Sequence, residues 1–194
     1  MANFIFEETT DYIAWDTFAK TSRQYSIFFN SNYFLNIGKE VKLFLVKKGQ
    51  SIKAGIVLIV ENNRVAVIDD LMIYNGILFN NNEEQKHSRA RAERFNILEF
   101  IILELNKKFD NMEMSLCPDF EDLRPFLWFN YISKNTKDKY HLNLRYTSFI
   151  DIRDFFYKKK DEEIKIFNDL DNQRQGDLRK ANKNKLNFNE SNNI

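Results

Sequence analysis

The sequence predicts an α+β fold, a mixed sheet flanked by helices with a helical tail behind it. Three observations carry that expectation. Residues 41–60 contain two apolar runs joined through a glycine turn, which is hairpin grammar. From about residue 83 to 109 apolar residues recur every three or four positions with no proline between them, the signature of one long helix. Residues 112–151 then read strand, short helix, strand.

Taken in order, Phe4, Ile5 and Phe6 read as a short strand. Thr9 or Thr10 is expected to cap a helix carrying Tyr12, Ile13, Trp15, Phe18 and Ala19 on one face. A polar turn over 21–24 leads to Ser31, the expected cap of a second short helix holding Tyr33, Phe34 and Ile37, with Gly38 as its stop. Runs 41–46 and 52–60 pair through Lys47-Lys48-Gly49-Gln50, and Glu61-Asn62-Asn63 turns into a third strand over 64–68. From Asp69 to Phe79 the pattern is irregular.

The long helix carries Phe95, Leu98, Ile101, Ile102, Leu105 and Phe109. An alternating strand over 112–117, expected parallel to the third, ends at Pro118, which cannot donate to a ladder. Asp122 can cap a short helix with Pro125 in its first turn, where the missing N–H costs nothing. A last strand is expected over about 140–151, with Leu142, Leu144 and Tyr146 on one side and His141, Asn143 and Arg145 on the other. In the tail, Ile164, Phe167, Leu170 and Leu178 give a helical spacing expected to hold to about Leu170 and to loosen beyond it.

Composition narrows the class. With 43% hydrophobic and 15% aromatic residues, including 19 Phe, the chain can bury a substantial core. Its net charge of +1 supplies no field that would draw the whole molecule to DNA or an anionic membrane. A single cysteine excludes an internal disulfide and a multi-thiolate zinc site. The first residues lack the basic and apolar regions of a signal peptide, and the apolar run 56–60 is far too short to span a bilayer. The chain reads as a soluble, cytoplasmic protein.

Three stretches carry a family resemblance: Ser26-Ile27-Phe28-Phe29-Asn30-Ser31-Asn32-Tyr33-Phe34, Asp122-Leu123-Arg124-Pro125-Phe126-Leu127-Trp128, and Asn172-Gln173-Arg174-Gln175-Gly176-Asp177-Leu178-Arg179-Lys180-Ala181. In them, and in its element order, the chain resembles the FemAB-like GNAT acyltransferases, which include the Fem-type peptidoglycan aminoacyltransferases. Members of that family join two GNAT-like domains in tandem. The resemblance implies a first GNAT-like domain over 1–153, followed over 154–194 by a helical linker and the truncated start of a second. It implies transfer of an acyl group to an amine of a cell-envelope or sugar-linked precursor, this chain supplying the acceptor-binding half and being inactive alone. The partners implied are an acceptor amine, including a nucleotide-linked one, a second GNAT half in another chain, and tRNA as the aminoacyl carrier. The alternative reading is a non-catalytic GNAT-like binding or scaffold protein. An RNA-binding module is disfavoured by the balanced charge.

No cofactor is expected. Coenzyme A sites of GNAT domains use a glycine-rich turn whose N–H groups cradle pyrophosphate, whereas this junction is Asn80-Asn81-Asn82-Glu83-Glu84. Two carboxylates at a helix start would repel phosphate. For the acceptor, Tyr33 lies in the first resembling stretch. Asp119, Glu121, Asp122 and Arg124 can bind an amine or hold a general base, while Asp122 can equally cap a helix and pair with Arg124. Trp128 can stack on a sugar or base, although its helical spacing also suits a core. Arg174 and Arg179, in a basic run ending at Lys185, can clamp a diphosphate or face solvent. Lys158-Lys159-Lys160 against Asp161-Glu162-Glu163 reads as a solvated linker. His87 and His141 lack metal-ligand spacing, and Cys117 reads as a buried small hydrophobe or a nucleophile.

Overall fold

Alternation along the second and third strands dictates the layering. The structure is a computed structural model and describes residues 3–81, 86–153, 157 and 164–184. The chain divides into two compact units, Met1–Leu144 and Arg145–Ile194. In the first unit, β1 (Ile5–Thr9), β2 (Val41–Lys48), β3 (Ser51–Glu61), β4 (Val65–Val67) and β6 (Asn111–Met112) lie side by side in that order, and β5 (Gly76–Phe79) also pairs with β3. All neighbours are antiparallel except β4 and β6, which are parallel. The connection between those two carries α3 (His87–Lys108), as a parallel pair requires.

Both faces of the sheet are covered, which is why β3 is buried almost throughout rather than alternating with polar residues. On one face Phe44, Val46, Ala54, Ile56, Leu58 and Val60 pack with Ile97, Leu98, Ile101, Ile102 and Leu105 of α3. On the other, Leu43, Leu45, Val57 and Ile59 pack with Trp15, Phe18 and Ala19 of α1 (Tyr12–Ala19) and with Phe34 of α2 (Ser31–Phe34). Trp15 is fully buried, and its indole N–H donates to the Phe29 carbonyl at 2.8 Å, so no polar atom is orphaned there. Gly55 belongs to this same face. A Cβ there would stand 2.6 Å from Phe18 Cε1 and 2.8 Å from Trp15 Cζ3, so only glycine lets α1 settle this close.

Two turns follow their sequence chemistry. Gly49, at φ +59°, occupies the first central position of the two-residue hairpin that brings Lys48 opposite Ser51. Asn62 and Asn63 both take the left-handed conformation that closes β3 onto β4.

Several expectations are corrected. The first helix is capped by Asp11, whose carboxylate accepts from the Ala14 N–H, not by a threonine; Thr9 instead accepts from Asp11 N–H. The second is capped by Asn30, and Ser31 is its first residue, donating its hydroxyl to Asp16. The stretch 69–79 hides β5. Val67 pairs with Ile59 and Gly76 with Val57, so β4 and β5 run along one edge of β3 with residues 68–75 extruded between them. Asn75, fully buried, closes the base of that extrusion. Its side chain donates to the Val67 carbonyl and accepts from Ser115 N–H, and its own N–H donates to the Ser115 carbonyl.

The expected strand 112–117 is regular only over Asn111–Met112; beyond that, Glu113 N–H still donates to the Ala66 carbonyl. The expected strand over 140–151 does not form, and Leu142, Leu144 and Tyr146 are exposed. Among the described residues no strand pairs with it, and alternation without a ladder partner does not hold a strand. The long helix spans His87–Lys108 with Lys86 at its N-cap and no acidic residue in its first turn. Residues 82–85, including Glu83 and Glu84, lie outside the described residues, as do the charge blocks 158–163 and everything from Lys185 onward.

The second unit holds α5 (Lys165–Asp169) and α6 (Asn172–Lys183). Helix therefore persists past Leu170, after a break. Asp171 restarts it by accepting from the Arg174 N–H at 2.8 Å. Among the described residues no helix is long and apolar enough to cross a membrane.

Candidate functional site

A cleft of about 490 Å³ opens in the first unit where three chain segments meet. The turn after α1 contributes Arg23 and Gln24, the end of β5 contributes Phe79 and then Asn81, and the loop after β6 contributes Pro118, Asp119 and Glu121. Arg94 of α3 forms the remaining wall. A smaller recess beside it shares Gln24, Phe79, Arg94 and Glu121 and reaches Arg91, Phe95 and Asp122.

Gln24 fixes the three segments together. It is 7% exposed, and its Oε1 accepts from the Phe79 N–H at 2.8 Å and from the Ser22 hydroxyl at 3.4 Å. Its Nε2 donates to the Asp119 carbonyl at 3.5 Å. The ring of Phe79 packs 5.6 Å from that of Phe120, which anchors the loop from its other side. Arg94 donates to Glu121 at 3.2 Å and so ties the loop to α3.

The charges of this region divide into engaged and unengaged groups. Arg94 and Glu121 satisfy one another. Asp122 holds Arg124 through two hydrogen bonds, at 2.9 and 2.6 Å, and accepts from its N–H as well. The Arg124 guanidinium beside it keeps the Asp122 carboxyl below the usual carboxylate range. A carboxylate so engaged and so acidic is a poor proton acceptor and a good structural anchor. Arg23 and Asp119, by contrast, have no ion-pair partner among the described residues.

Of the residues singled out from the sequence, Asp119 and Glu121 line the cleft, and Asp122, Arg124 and Trp128 come together. Arg124 lies over the rings of Phe95 and Trp128, 5.2 and 5.6 Å from their centroids, at the start of α4 (Arg124–Trp128). Trp128 keeps about half its surface exposed and meets Phe95 edge-on at 5.5 Å. Tyr33 does not join them. It sits with α2, its hydroxyl donating to the Leu71 carbonyl in the extruded loop and its ring edge-on to Phe28, one of the side chains packed on the α1–α2 side of the sheet. In the second unit Arg174 faces Asp177 at 3.8 Å, and Arg179 lies over the Phe167 ring at 5.4 Å.

The remaining chemical candidates stand apart from this cleft lining. Cys117 is buried, and burial pushes its thiol up to about 11, which leaves almost no thiolate at neutral pH. His87 and His141 are exposed, the latter 3.2 Å from the Thr136 carbonyl. Among the described residues no group of three His, Cys, Asp or Glu is placed to hold a metal. Arg23, Gln24, Phe79 and Arg94 carry the cleft and were not singled out from the sequence. The visible signal was weak, two polar residues in a turn and one arginine on a helix rich in charge.

Comparison with protein-family models, with curated proteins and with solved structures finds no match to this chain.

Proposed function

We propose that the chain is the acceptor-binding half of a FemAB-like GNAT acyltransferase, holding an amine of a cell-envelope or sugar-linked precursor for acylation. One observation carries the reading, a cleft at the end of β5 in which Asp119 has no ion-pair partner among the described residues and stands beside the Arg94–Glu121 couple. An unpaired carboxylate in a concave site attracts an ammonium group. The element order supports the reading, since antiparallel strands, a long helix and a parallel strand follow one another as the resemblance implies. On this reading the general base and the oxyanion donors of the transfer belong to a second GNAT half.

The test is a titration of the purified chain, followed by amide NMR shifts, with an amine-bearing muropeptide and with the same compound N-acetylated. The free amine should shift the resonances of the 118–121 loop and the acetylated form should not. Equal binding of both would remove the basis of the proposal.

A second reading, a GNAT-like binding or scaffold protein without catalysis, is favoured by the burial of Cys117, which raises its thiol, and by the hydrogen bonds that engage Asp122 with Arg124, both of which suit structural roles. The two readings agree on binding and part on turnover. Acyl transfer to the bound amine when a second GNAT half is supplied in trans supports the first, and binding without transfer supports the second.

A further inference from the structure

Arg23 and Asp119 line the same cleft. Gln24 follows Arg23 in the chain and donates to the Asp119 carbonyl at 3.5 Å, so the turn and the loop that carry the two charges are joined across the cleft. Arg94 and Glu121 neutralise each other at 3.2 Å. Among the described residues that leaves one cation, Arg23, and one anion, Asp119, in a lining whose four charged groups sum to zero. A ligand of one sign could pair with only one of them, whereas a ligand carrying both signs could pair with each. The space, about 490 Å³, lies in the range that encloses small organic ligands.

We propose that the cleft binds a zwitterion, a short peptide or amino acid with a free ammonium and a free carboxylate. Asp119 receives the ammonium group and Arg23 the carboxylate, the latter with the planar fork geometry that suits a guanidinium. Gln24 is a positioning residue, because both ends of its carboxamide are already engaged. The proposal rests on the amine-acceptor reading for the Asp119 end and adds the carboxylate end to it.

The probe is the dipeptide Ala-Ala, compared by isothermal calorimetry with N-acetyl-Ala-Ala, which lacks the ammonium group, and with Ala-Ala amide, which lacks the carboxylate. Each blocked form should bind about tenfold more weakly than Ala-Ala, the loss of one charge-assisted contact. Arg23→Ala should bind Ala-Ala and its amide equally, and Asp119→Asn should bind Ala-Ala and its acetylated form equally. Because Arg23 and Asp119 are exposed, both variants should keep the parent's thermal melt, which separates lost binding from lost folding. If Ala-Ala and the amide bind alike while the acetylated form does not, the zwitterion proposal falls and the amine reading stands. If only the acetylated form binds, both fall. Absence of binding by all three overturns the zwitterion proposal and leaves the amine reading to its own muropeptide test.

Discussion

Replacing Gln24 by Met removes the hydrogen bonds of a buried side chain while keeping its length. The Phe79 N–H, buried and paired at 2.8 Å, would lose its acceptor. An orphaned buried donor costs about 1–3 kcal/mol. The contacts at 3.4 and 3.5 Å are at the long end of the hydrogen-bond range and add less. A loss of about 2 kcal/mol is therefore expected. With a urea dependence of about 1–3 kcal/mol per molar, the unfolding midpoint should fall by about 1 M. Trp15, fully buried, reports the transition by fluorescence. Gln24→Glu keeps an acceptor for Phe79 but buries a carboxylate, whose folded-state pKa burial raises. Its deficit should be full at neutral pH and shrink as the pH falls below that raised value. A midpoint for Gln24→Met equal to the parent's would refute the assignment of Gln24 as the tie between turn, strand and loop.

Three further outcomes follow from the geometry. Gly55→Ala drives a Cβ to within 2.6 Å of Phe18 Cε1 and should cost about 1–3 kcal/mol by overpacking, read as a lower thermal midpoint. Cys117, with its thiol raised from 9.0 to about 11, should react with iodoacetamide at pH 8 about a hundredfold more slowly than a free thiol, and at the ordinary rate once unfolded in urea. Asp122, lowered by its hydrogen bonds from Arg124, contributes stability that is present above its unfolded value and lost as the pH falls through its folded value. The gap in urea midpoint between the parent and Arg124→Met should therefore narrow below the ordinary carboxylate range, and a gap independent of pH would count against the pair.

Legibility in the sequence followed the length of the signal. The apolar runs that became β2 and β3, the glycine between them, and the period of α3 were plain, because each repeats over two or more turns or pairs. The hidden strand β5 has four residues, begins at Gly76 with φ +101°, and takes its register from β3 rather than from any pattern of its own. The reverse error came at 140–151, where alternation was clear but nothing among the described residues pairs with it. Asp122 and Arg124 were legible as a local pair two residues apart. Arg23, Gln24 and Phe79 were not, and Asp119, although read as an amine-binding candidate, could not be placed beside them, since that meeting depends on contacts between positions 24, 79 and 119 that no local spacing encodes.

The position of the cleft follows from how β3 shares its edge. Its later residues pair with β4 and its earlier ones with β5, so the chain must leave β4, loop out over 68–75 and return before the edge is completed. β5 then ends at Phe79, beside the turn that follows α1 and beneath the loop that follows β6. The turn and the loop are connections, where polar and charged residues are tolerated because the cores on both sheet faces are already filled by α1, α2 and α3. On the proposed binding reading, stability and recognition fall largely on different residues at this end of the sheet, with Gln24 shared between them. Arg23→Ala and Asp119→Asn should change binding without changing the melt, whereas Gln24→Met should weaken both together. Were Gln24→Met to lower stability yet leave the binding of Ala-Ala intact, the turn and the loop would be held in register by something other than that one side chain.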